Sequence, residues 1–242
     1  MEWVIEVLQE TAEKFQPQLL QRLKRKLQRR ELGLLNYVFP DYYQHSRFYD
    51  RYHILFSTHF AVRLARNDKK ISPLIVPAII LHDVGYGVLS VKDKENWNDS
   101  QVRILHMQEG AAIAAKILIE VGGYNAQEIE TIVGMVATHD NGYLDIETKN
   151  PDRLALIDAD RIWVMHFISF YKDWSFKKIS LKDFFQTRWL NFSEKPLTHE
   201  LSRLQQHRQF EARYQEIYKA ILADKNTFQR YAEWLLEEEV TN

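Results

Sequence analysis

Apolar residues recur at spacings of three and four along most of the chain, and strict alternation is scarce, so the pattern predicts helices rather than strands. Residues 3–35 read as one or two amphipathic helices broken near Pro17. Leu20, Leu23, Leu27 and Leu34 mark one face, and Arg22, Lys24, Arg25, Lys26, Arg29 and Arg30 the other. Residues 36–48, with Pro40 and clustered Tyr, read as a loop, and a helix follows over 49–67. Ser72-Pro73 offers a cap and a first-turn proline for a helix ending near Gly85, although Pro77 argues for a later start. Residues 85–99 form a polar, glycine-containing loop. The next helix covers about 100–120 and stops at Gly122-Gly123. Asn125 with Glu128 makes a capping pattern for a helix to about Thr138. Asn150-Pro151 opens another, to about Phe170. Ser180 and Asp183 cap a short helix, and Thr198 starts a last stretch that breaks near residues 224–226.

These elements predict an all-α fold: an N-terminal helical segment (1–48) packed on the core, a core at 49–171, and a helical C-terminal extension (172–242) of the same domain. Lys plus Arg total 32 against 33 Asp plus Glu, so the basic stripe of the first segment is read as a solvated face. The balance argues against nucleic-acid binding, because nonspecific affinity comes from neutralising phosphates. Cysteine is absent, which removes disulfides, thiolate zinc sites and cysteine nucleophiles together. The densest apolar run, Ile75 to Leu81, is far short of the roughly 20 residues that cross a bilayer, and no secretory pattern opens the chain. The expectation is a cytoplasmic protein that uses neither membrane nor nucleic acid. Phe184, Phe185 and Trp189, read as exposed, suggest a homodimer contact.

Chemistry concentrates at a few of the nine histidines. His82-Asp83 ends the apolar segment Ala78-Ile79-Ile80-Leu81 and precedes Gly85 and Gly87. His139-Asp140 repeats that layout after Ile132-Val133-Gly134-Met135-Val136-Ala137. A buried helix does not end in an adjacent imidazole and carboxylate without partners, and both groups ligate divalent metals. Asp158 and Asp160 interrupt an apolar helix and need a cation or an arginine. Being two apart they face different ways, so one serves the site and the other a cap, an arginine or solvent. Glu109, three residues after His106, is a candidate to orient that histidine, and Asp140 likewise. His53, six residues before His59, falls off the His59 face.

His59-Phe60-Ala61-Val62-Arg63-Leu64-Ala65, Ala78-Ile79-Ile80-Leu81-His82-Asp83-Val84-Gly85-Tyr86, His106-Met107-Gln108-Glu109-Gly110-Ala111-Ala112 and Ala159-Asp160-Arg161-Ile162 stand in an order that resembles the HD-domain metal-dependent phosphohydrolase superfamily, over roughly residues 49–170. The resemblance implies a helical core whose elements each deliver one or two ligands. His59, His82, Asp83 and Asp160 match the positions that hold a first metal. His106 and His139 match positions that in some branches hold a second, bridged by Asp83, and otherwise contact substrate phosphate. One or two divalent ions are implied: Mn, Mg, Fe, Ni, Co or Zn. Tyr86 stands where several branches carry Lys, which speaks against the cyclic dinucleotide phosphodiesterase branch. The stretch Phe192-Ser193-Glu194-Lys195-Pro196-Leu197 with Arg208 loosely resembles a tail of small bacterial members. Lys195 and Arg208 there can supply charge to a phosphate, or be surface charge.

The resemblance implies hydrolysis of a phosphate ester, a nucleotide or another small phosphorylated metabolite, by metal-activated water, with Asp83, His106 and His139 at the reacting centre. Two other readings keep the fold. In one, the same ligands serve diiron oxygen chemistry, as in some HD-like proteins. In the other, the chain is a non-catalytic module.

Overall fold

A computed structural model describes residues 2–40, 48–96 and 98–241. Among them are twelve α-helices and no strand, as the spacing predicts. They are α1 (Glu2–Lys24), α2 (Arg29–Val38), α3 (Phe48–Asn67), α4 (Ile75–Leu81), α5 (Val91–Glu95), α6 (Ser100–Val121), α7 (Ala126–Val136), α8 (Pro151–Arg161), α9 (Phe167–Ser175), α10 (Leu181–Glu194), α11 (Glu200–Tyr218) and α12 (Lys225–Thr241). The expected loop at 36–48 falls largely on residues 41–47, outside the described residues, and its start is helical up to Val38.

Two compact units share the chain. One comprises Met1–Leu23, Phe48–Phe56 and Arg161–Asn242, the other Lys24–Arg47 and Ser57–Asp160. In the first, α1 runs unbroken through Pro17, contrary to the expected break. Pro17 and Glu13, whose carbonyl loses its partner, are both exposed, so water can satisfy that carbonyl while Phe15, Leu19 and Leu23 stay buried on the other face. The centre of this unit is aromatic: Phe228 of α12 packs against Phe167 (5.4 Å) and Tyr171 (5.2 Å) of α9. The buried Glu216 carboxylate accepts from the Tyr171 and Tyr231 hydroxyls and from Arg213 (2.9, 2.8 and 2.6 Å), which offsets the cost of burying its charge. Phe184 packs on Phe170 and Phe185 on Phe210, so both are buried, contrary to their reading as exposed dimer contacts; only Trp189 of the three is open to solvent. His53 stacks on Trp163 at 5.4 Å.

In the second unit, α4 is fully buried and short. Pro77 is its third residue, where the N–H it lacks would have no intrahelical partner anyway. The Ser72 hydroxyl instead accepts from Leu74 N just upstream. The expected loop at 85–99 contains a 3-10 turn (Val84–Gly87) and the short α5. Caps set the long helices: the Asp99 carboxylate opens α6, Asn125 and Glu128 reciprocally open α7, and Asn150 opens α8. The expected helix to Phe170 instead ends at Arg161, and α9 starts separately at Phe167. The basic stripe is more than a solvated face: Arg30 pairs with Glu128 at 2.7 Å, and Lys26 Nζ lies 3.1 Å from His59 Nε2. Among the described residues no helix is long and apolar enough to cross a membrane.

The 3-10 turn crosses α6 at very short range. A Cβ on Gly85 would overlap the His106 carbonyl oxygen and stand 2.7 Å from Gly110 N, so only glycine lets the turn lie on the α6 backbone. Both neighbours are backbone and cannot step aside. Gly85→Ala is expected to cost at least roughly 3 kcal/mol in urea unfolding, the upper end of the overpacking range. Gly33→Ala inside α2, where a Cβ meets only Val121 Cγ1 at 3.5 Å, is expected to gain about 0.5–1 kcal/mol.

Candidate metal centre

The two His-Asp pairs are built the same way. The last carbonyls of a helix lack intrahelical donors. His82, just past α4, places Nδ1 2.8 Å from the Ile79 carbonyl, and His139, just past α7, places Nδ1 2.8 Å from the Val136 carbonyl. A carbonyl only accepts, so each Nδ1 carries the proton and each Nε2 is turned inward. The sequence layout of apolar helix end, His, Asp and glycine-containing exit is the visible sign of this local structure.

The Gly85 crossing then brings Asp83 to α6. Ligand atoms of Asp83, His106 and His139 lie within 4.8 Å of one another. His106 Nε2 and His139 Nε2 are 3.1 Å apart, and Asp83 Oδ1 is 3.6 Å from His139 Nε2 and 3.9 Å from His106 Nε2. His82 Nε2 faces Asp83 Oδ2 (3.2 Å) and Asp160 Oδ1 (3.4 Å). Asp160 is therefore the carboxylate of its pair that meets this group, while Asp158 is buried on another face of α8. His59 does not join the group of three; its Nε2 is met by Lys26.

The electrostatics call for positive charge. Burial alone would lower the His82 pKa, but Asp83 and Asp160 outweigh it and hold it well above the ordinary value. Burial also opposes charge on His139, yet the Asp83 hydrogen bond and Asp140 raise its pKa. His106 is pushed down to about 3 by burial and by His139 beside it. Two imidazole Nε2 atoms 3.1 Å apart cannot both present lone pairs to each other: either one ring donates an N–H to the other, or both lone pairs turn to a metal ion. With the outer nitrogens of His82 and His139 anchored on carbonyls, the set fits a divalent ion: nitrogen and carboxylate ligands, aimed inward, supported from behind. This buried group can hold a metal ion.

Sequence reasoning missed the neighbours of His106. Glu109 is exposed, because the buried stripe of α6 runs through Arg103, Gly110 and Ala114 and leaves it aside. Arg103, three residues before His106, is the residue on that face. Its Nη1 is 2.6 Å from Asp140 Oδ2, its Nη2 3.2 Å from Asn98 Oδ1, and its guanidinium lies over Tyr143 at 4.3 Å. Burial nevertheless raises the Asp140 pKa from its ordinary value. Tyr86 stacks on His106 (4.2 Å, 15°), a contact that a Lys at this position would not make in the same way. Lys195 and Arg208 belong to the other unit; both are exposed, and the Lys195 carbonyl accepts from Arg161.

No protein-family model, curated protein or solved structure matches the chain.

Asp83→Ala and His139→Ala are each expected to weaken divalent-ion binding by more than the about 10–100-fold that loss of even an outer partner costs, measured by equilibrium dialysis. His59→Ala is expected to change it far less. At ion concentrations about 100 times Kd, the wild-type protein is expected to gain about 2.7 kcal/mol in thermal unfolding, and Asp83→Ala none.

Proposed function

We propose that the chain is a metal-dependent hydrolase of a phosphate ester, acting on a nucleotide or another small phosphorylated metabolite. The observation that carries this is the pair of inward histidine nitrogens, 3.1 Å apart with the Asp83 carboxylate beside them. The order of motifs shared with HD-domain phosphohydrolases supports the choice of reaction.

A divalent ion, when bound, supplies Lewis acidity toward a phosphoryl oxygen and a water whose pKa falls toward about 7. Asp83 would hold the ion, and its second oxygen, 3.2 Å from His82 Nε2, would be the group to orient or deprotonate a water. His82 and Asp160, whose Nε2 and Oδ1 lie 3.4 Å apart, would be further ligands. His106 and His139 would serve as ligands or as donors to the charge that develops on phosphorus-bound oxygen. Tyr86, stacked on His106, keeps that ring in plane and shields it from solvent.

The test is elemental analysis of freshly purified protein, then a panel of phosphate esters with the ion restored. Phosphate release by the wild type is expected, with none from Asp83→Ala at unchanged far-UV circular dichroism. Undiminished turnover in Asp83→Ala contradicts the proposal. Oxygen consumption by the iron-loaded protein without phosphate release moves the reading to diiron chemistry.

A further inference from the structure

We infer that Arg103 is a positioning residue that withholds Asp140 from the metal ion and so sets the ligand composition of the centre. The inference rests on the reading of this group as a metal site. Asp140 follows His139 directly, is buried, and brings Oδ2 to 3.7 Å from His106 Nε2, close to the distances that group Asp83 with the same ring. It stands outside the group formed by Asp83, His106 and His139, yet within reach of one of its rings. That same Oδ2 is the atom Arg103 Nη1 engages at 2.6 Å. The guanidinium is itself buried and pinned on two other sides, by Asn98 and by the face of Tyr143. The Asp140 backbone N–H also donates to Met107 Sδ at 3.3 Å, which fixes the residue next to α6.

A buried arginine–carboxylate pair with one member removed leaves an uncompensated charge. Without Arg103, the nearest compensation for Asp140 is the ion. The centre would then gain a carboxylate and become richer in oxygen, favouring Mn²⁺ over Zn²⁺, since carboxylate suits the former and imidazole the latter. The ratio of the two affinities isolates this effect. Loss of a positive charge nearby strengthens binding of both dications alike, so a purely electrostatic or structural role for Arg103 leaves the ratio unmoved.

The experiment is competitive equilibrium dialysis of full-length protein against Mn²⁺ and Zn²⁺, with bound metal read by elemental analysis. R103Q is expected to raise the Mn²⁺-to-Zn²⁺ affinity ratio by about tenfold, the scale on which outer partners act. D140N alone is expected to leave the ratio at the wild-type value, because Asp140 is already withheld. R103Q/D140N is expected to return it there. An unchanged ratio in R103Q overturns the inference, as does a D140N ratio that departs from wild type by about tenfold, the change expected of R103Q. If R103Q does not fold, D140N decides by the same criterion. A wild-type protein that binds neither ion overturns the metal reading itself, a result distinct from a wild type that binds metal with variants that do not differ.

Discussion

The close contact between the Gly85 turn and the α6 backbone governs the rest of this site. Asp83 lies two residues before Gly85, and His106 supplies the carbonyl that Gly85 touches. Any side chain at position 85 pushes the turn away from α6, and with it the carboxylate that faces both His106 and His139. Gly110, one turn further along α6, leaves the matching space on the opposite side. A few ångströms of backbone approach therefore decide whether three chemically suitable residues form a group or merely share a fold unit.

Charge is the second constraint. Asp83, Asp140 and Asp160 face His82, His106, His139 and Arg103 where most of these groups are buried. Such an assembly is costly unless every charge is matched. Part of the matching is permanent: Arg103 for Asp140, and backbone carbonyls for the outer nitrogens of His82 and His139. The remainder, Asp83 and Asp160 against inward nitrogens, is matched by protons on His82 and His139 or by a metal ion. Protons and metal compete for the same lone pairs, which is how a folded, stable protein can keep a site ready for an ion.

Much of this was legible in the sequence. Helical spacing, the Asn125 and Asn150 caps, and the glycines past α6 marked most helices, because these signals are local. The repeated layout of His82-Asp83 and His139-Asp140 marked two of the converging elements, because an imidazole just past an apolar helix finds a carbonyl three residues back. Pro17 misled because its cost depends on which face it occupies, and that face is set by packing. Arg103 went unseen for a similar reason: an arginine reads as surface charge until its helical face is known to be the buried one. The Gly85 crossing is a long-range contact with no local signal beyond a glycine in a turn.

The most direct measurement is X-ray absorption at the zinc edge of the zinc-loaded protein. A nitrogen and oxygen shell is expected, with multiple scattering from at least two imidazole rings that is reduced in His139→Ala. A shell of oxygen alone, without imidazole scattering, contradicts a centre built on these histidines.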